Sequence, residues 1–234
     1  MSADEPGPLP RGLLDRLPGS PAGDLAVLRD GGYLRLALPA RFGGAGLDLA
    51  GLACAQRQLA ARAPGTAHAL NNHHALAGAA ADALASGNSG PEWILADAAR
   101  GRLFTGFGAE PRHGDVLVAG WYAWSLALDG MTSYAIARQA FDQAVELARR
   151  EGPGRLDQWP VAEAALRLDD MRGRLDEAIE GWRRRVAAGG GLTSLDPGRL
   201  ALIRQFTARH VAADGLHRVV ELAGLIGTVP AGHA

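Results

Sequence analysis

Two adjacent histidines, His73 and His74, are the residues whose type most readily suggests chemistry. Imidazole binds metals and moves protons near neutral pH. A metal pair on one helix needs i,i+4 spacing, whereas neighbours point roughly 100° apart. The spacing therefore favours one histidine lining a pocket and one at the surface, and no metal site is expected. Gly43-Gly44-Ala45-Gly46 could cradle a phosphate on its backbone amides. It lacks the Lys-Ser/Thr of a phosphate loop and a preceding strand, so a tight turn is the favoured reading. Cys54 is the single cysteine; among Ala and Leu neighbours it reads as a buried, inert thiol. Glu146 and Glu163 could act as general bases, but each fits a solvated helix face better. Trp121, Tyr122 and Trp124 form an aromatic cluster that could line a ligand slot. Arg183-Arg184-Arg185 suits the last turn of a helix, where cations favour the dipole.

These residues need elements to hold them, and the pattern is mostly helical. The first 22 residues carry Pro6, Pro8, Pro10, Pro18 and Pro21 and read as a flexible arm with one short turn, 11–17. Helices are expected at 24–31, at 48–63 from the recurrence of Leu52, Gln56, Leu59 and Ala63, and at 66–86. Pro91 opens another, with Trp93, Ile94 and Ala98 on one face. The glycine-rich stretch 103–130, with its Val116-Leu117-Val118 run, suggests two short strands and an irregular joint at 113–130. A helical stripe then runs through Tyr134, Ala137, Phe141, Val145 and Ala148. A longer one runs through Val161, Ala165, Leu168, Arg172, Leu175, Ile179, Trp182 and Val186. Asp196-Pro197 starts a last helix. The fold class expected is all-α: an N-terminal helical domain over 23–112 and an antiparallel C-terminal bundle over 131–234.

The totals agree. The chain has 234 residues, 47% hydrophobic but only 6% aromatic, so Ala, Leu and Val must fill its core. Twenty-four basic residues, all arginine, face 25 acidic ones. That balance argues against a nucleic-acid binder, and the absence of lysine removes Schiff-base chemistry. No apolar run reaches the ~20 residues of a membrane span, and no signal-peptide pattern opens the chain, so a cytoplasmic protein is expected.

Several segments, taken in order, resemble the acyl-CoA dehydrogenase family. Asp30-Gly-Gly-Tyr-Leu-Arg-Leu-Ala-Leu-Pro-Ala-Arg-Phe-Gly-Gly-Ala-Gly-Leu47 is similar to the family's "lxxPxxxGGxGl" segment, and the next helix ends Gln58-Leu59-Ala60. His74-Ala-Leu-Ala resembles the "hxxla" helix that faces the acyl pocket. Trp93-Ile-Leu-Ala-Asp-Ala-Ala-Arg-Gly101 and Phe107-Gly-Ala-Glu-Pro111 resemble "yLpxlasG" and "vTEP". The stretch 133–149, Pro160-Val-Ala with Met171 and Ala178, and Val220-Glu-Leu-Ala-Gly-Leu-Ile-Gly227 are similar to successive parts of the C-terminal bundle. The family's middle β-domain has no counterpart: only 112–130 separates the two halves. The resemblance also implies a final helix beyond Ala234.

The resemblance implies flavin-dependent α,β-oxidation of an acyl-CoA thioester. FAD would be held partly by Ala109 through its backbone, by Arg150, and by Gly224 and Gly227, with His74 toward the acyl substrate. No catalytic base matches a family motif. Ala162, Glu221 and Leu225 stand at flavin-facing positions where the family has Gln, Gln and Gly. On these residues the chain reads either as a flavoenzyme, alone or sharing a site with a partner, or as a non-catalytic helical accessory subunit. The second would associate through its bundle with itself or with a full-length relative. The aromatic cluster 121–124 would then plug surface left bare by the lost domain.

Overall fold

The computed structural model describes residues 9, 10, 12–105, 116–151 and 158–188. Within them the chain forms six α-helices and no strand: α1 (Pro21–Asp30), α2 (Leu49–Arg62), α3 (Pro64–Ala85), α4 (Glu92–Ala99), α5 (Val116–Glu151) and α6 (Gln158–Ala187). The all-α expectation is met. The last helix expected from Asp196 lies outside the described residues.

Local signals set most helix starts. Pro21 and Pro64 occupy first-turn positions, where a missing N–H costs nothing. Asp48 caps α2 by accepting from Gly51 N at 2.9 Å. Gly32, at φ +76°, turns the chain out of α1 as only glycine does readily.

α3 is the central helix. It packs against α1, α2, α4 and α5, and its buried residues lie all round its circumference. A helix covered on every side must be apolar or small on every side, which explains its run of alanines. Residues 12–22 are part of this core and not a loose arm: Leu13 and Leu17 are buried, and Asp24 holds both Gly19 N and Thr66 Oγ1 at 2.9 Å.

The expected irregular joint and strands are corrected over 116–130. These residues are the first four turns of α5, which continues unbroken to Glu151. Leu117, Gly120, Trp124 and Leu128 recur at three and four and face inward. At Gly120 an added Cβ would lie 3.2 Å from Ala79 Cβ, and at Gly78 one would lie 2.4 Å from the Trp124 ring. Glycine on both helices thus lets α5 settle directly on α3. The boundary expected near 131 falls inside one helix, and one continuous core runs from Leu13 to Trp182.

α6 packs against α5 and α2, and Ala164, Leu168, Met171, Leu175, Ile179 and Trp182 are its buried residues. Trp182 reaches the same carboxylate as Trp124, while Arg172 lies over the Tyr134 ring at 5.7 Å. Rising numbers on α6 therefore meet falling numbers on α5, so the two are antiparallel.

Candidate functional site

His74 is fully buried, and neither of its ring nitrogens has a hydrogen-bond partner. It sits edge-on to Tyr33 at 5.2 Å and to His73 at 5.3 Å. Burial, and then the neighbouring His73, push its pKa well below the ordinary imidazole value. His73 is buried too, so the expectation of one pocket histidine and one surface histidine is corrected. The reason is α3 itself: a helix enclosed on all sides buries residues 100° apart equally well. His73 Nε2 donates to Leu34 O at 2.9 Å, which leaves Nδ1 to accept from Phe104 N at 3.4 Å. This tautomer follows from the hydrogen-bond network. Burial lowers the His73 pKa, partly offset by the bond to Leu34.

Beside this pair runs a buried polar chain. Tyr33 Oη donates to Gln56 Oε1 at 2.5 Å, and Gln56 Nε2 donates to Ala67 O at 3.1 Å and to Asn71 Oδ1. Asn71 Nδ2 donates to Asp129 Oδ1 at 2.6 Å, and Thr132 Oγ1 to Asn71 Oδ1 at 3.3 Å. Each bond satisfies a group that burial would otherwise penalise. Together they fix the register of α2, α3 and α5.

The two histidines carry a pH signature. Folding lowers both pKa values, so below the unfolded value of about 6.5 the unfolded chain binds more protons than the native one. Stability from these groups is present above that pH and is lost as pH falls toward the folded values. Denaturant titrations from pH 7 to 5 should show falling stability. In His74→Leu the slope should flatten by up to about 1.4 kcal/mol per pH unit, one proton's worth. Parallel wild-type and variant curves would exclude this origin.

Asp82 is a second polar centre. Its Oδ2 accepts from Trp124 Nε1 at 2.7 Å and from Trp182 Nε1 at 2.8 Å, joining α3, α5 and α6. Burial raises its pKa, opposed by the two indole bonds. An aspartate within an alanine-rich helix is the only sequence sign of this clamp.

A groove of ≈ 800 Å³ opens between α2 and α5, lined among others by Arg57 and Ala61 from α2 and by Tyr134, Arg138, Glu146 and Arg150 from α5. Arg150, expected at a cofactor, is therefore on a concave surface. Its Nε is 3.0 Å from Glu146, and Arg138 pairs likewise with Asp142 at 3.1 Å. Glu163 bonds Arg167 at 2.8 Å. Both candidate bases, Glu146 and Glu163, are thus i,i+4 partners of arginine on helix faces. Ala162 is exposed on α6. Ala109, Glu221, Gly224, Leu225 and Gly227 lie outside the described residues. Cys54 is half-buried beside Arg57, not enclosed in the core as expected.

The glycine loop offers no phosphate cradle. Gly44, Ala45, Gly46 and Leu47 direct their N–H groups to the carbonyls of Pro39, Arg35, Leu38 and Leu36. An added Cβ at Gly44 would lie 2.1 Å from Leu38 O, which explains that glycine without a ligand.

The implied FAD fits the described residues poorly. Arg150 is already paired, the carboxylates of Asp142 and Glu146 line the same groove, and Tyr134 is the sole aromatic residue among those lining it. A pyrophosphate approaching Arg150 would meet Glu146 at hydrogen-bond range.

Among the described residues no His, Cys, Asp or Glu cluster suits a metal ion, and no helix is long and apolar enough to cross a membrane. No protein-family model, curated protein or solved structure matches the chain.

Proposed function

We propose that this chain is an acyl-CoA dehydrogenase-like helical protein that acts as a non-catalytic accessory subunit. In this reading it associates through its bundle with a second copy or with a full-length relative. The motif order along the sequence supports the family. The observation that carries the non-catalytic reading is the closure of α3. The helix that resembles the acyl-pocket wall has His74 sealed in the core, and Trp124 of α5 lies flat against Gly78 one turn further on. An acyl chain has no route to that face among the described residues. Glu146 and Glu163 are each paired with an arginine one turn away.

The second reading is a flavoenzyme carrying out FAD-dependent oxidation of an acyl-CoA, favoured by the place of Arg150 on the α2–α5 groove. Flavin uptake by the purified chain separates the two. A colourless protein after exposure to FAD and gel filtration is expected; retained, near-stoichiometric flavin would overturn the non-catalytic reading.

A further inference from the structure

The α2–α5 groove contains a charge that no described residue neutralises. Arg138 and Arg150 each have a carboxylate partner one turn away, Asp142 and Glu146. Arg57 has none among the described residues. Its Nη2 lies 4.0 Å from the Cys54 sulfur, a weak acceptor, and its Nε is buried with no acceptor among the described residues. A guanidinium offers five donors in a rigid fork that matches a planar oxyanion. A guanidinium without a carboxylate partner keeps donors to spare, and a ligand oxygen in the groove would pair with them.

We propose that this groove binds a small amphiphilic oxyanion, a carboxylate or phosphate monoester, whose headgroup pairs with Arg57. The charge count over the groove supports a single anionic headgroup. Three arginines and two carboxylates line it, and both carboxylates are already committed to Arg138 and Arg150. The apolar tail would lie along Ala61, Tyr134 and Leu147; Leu147 is 50% exposed, unusual for a leucine in a concave surface. The volume of ≈ 800 Å³ accommodates a body of drug-like size. The site stands whether or not the accessory-subunit reading holds.

The test is calorimetric titration of the purified full chain with octanoate and, separately, with octyl phosphate. Saturable binding of at least one probe is expected, weakened at least about tenfold by Arg57→Gln and unchanged by Arg29→Gln on the surface of α1. Arg57→Lys, which keeps the charge but not the fork, should fall between. Raising NaCl from ~0.05 to ~0.5 M should weaken wild-type binding, a check that needs no variant. Preference between the two probes identifies the headgroup. Absence of saturable binding by both probes, binding indifferent to salt, or equal affinity in a folded Arg57→Gln protein would overturn the proposal.

Discussion

Replacing Asp82 with alanine is expected to lower the folding free energy by about 2–5 kcal/mol. The carboxylate accepts two indole N–H groups at 2.7 and 2.8 Å, from helices separated widely in sequence. Trp124 and Trp182 are both almost fully buried, so each indole N–H loses its acceptor in a largely enclosed site. Each stranded donor costs about 1–3 kcal/mol. Asp82→Asn should behave differently. Its amide oxygen can still accept both bonds, and it carries no charge to desolvate, whereas burial already disfavours the ionised aspartate. Urea denaturation should place Asn within about 1 kcal/mol of wild type and well above Ala. Equal losses in the two variants would show that the bonds to tryptophan are not the source.

Gly78→Ala is expected to cost about 1–3 kcal/mol, against the usual gain of a glycine-to-alanine change inside a helix. The new methyl would lie 2.4–2.5 Å from three ring carbons of Trp124. The indole cannot slide away freely, because Asp82 holds its nitrogen. In a Trp124→Leu background the same Gly78→Ala change should cost less than it does in the wild type, since the ring it would meet is gone. Gly78→Ala as stable as wild type in denaturant would show that α5 does not rest on α3 at this point.

These expectations also show which parts of the fold sequence could reveal. The α6 seam was legible because Leu168, Leu175, Ile179 and Trp182 recur at steps of seven, four and three, on one helical face. The seam itself uses Ala164 and Met171, while Arg172 stands at its edge over Tyr134. The start of α2 at Asp48 was legible, whereas α1 and α3 begin at Pro21 and Pro64, a few residues before the expected 24 and 66. The beginning of α5 was not legible. Val116-Leu117-Val118 is strand-like by propensity, and Gly120 weakens a helix by about 1 kcal/mol in isolation. What makes 116–130 helical is its packing on α3, and that partner lies some forty residues away in sequence. The site divides the same way. Arg150 could be singled out by its place in a motif, but its pairing with Glu146 and its share in a groove with Arg57 depend on how α2 and α5 meet. Arg57 carries no motif at all; only the absence of an acceptor around its Nε marks it.

The proposed reading is a non-catalytic helical protein that resembles the acyl-CoA dehydrogenases. It is tested most directly by the visible spectrum of the purified chain after incubation with excess FAD and gel filtration, before and after anaerobic addition of an acyl-CoA. The expected result is a protein without a flavin band and no absorbance change on adding the thioester. A near-stoichiometric flavin band that bleaches with acyl-CoA would contradict the account and assign the chain to the oxidoreductases.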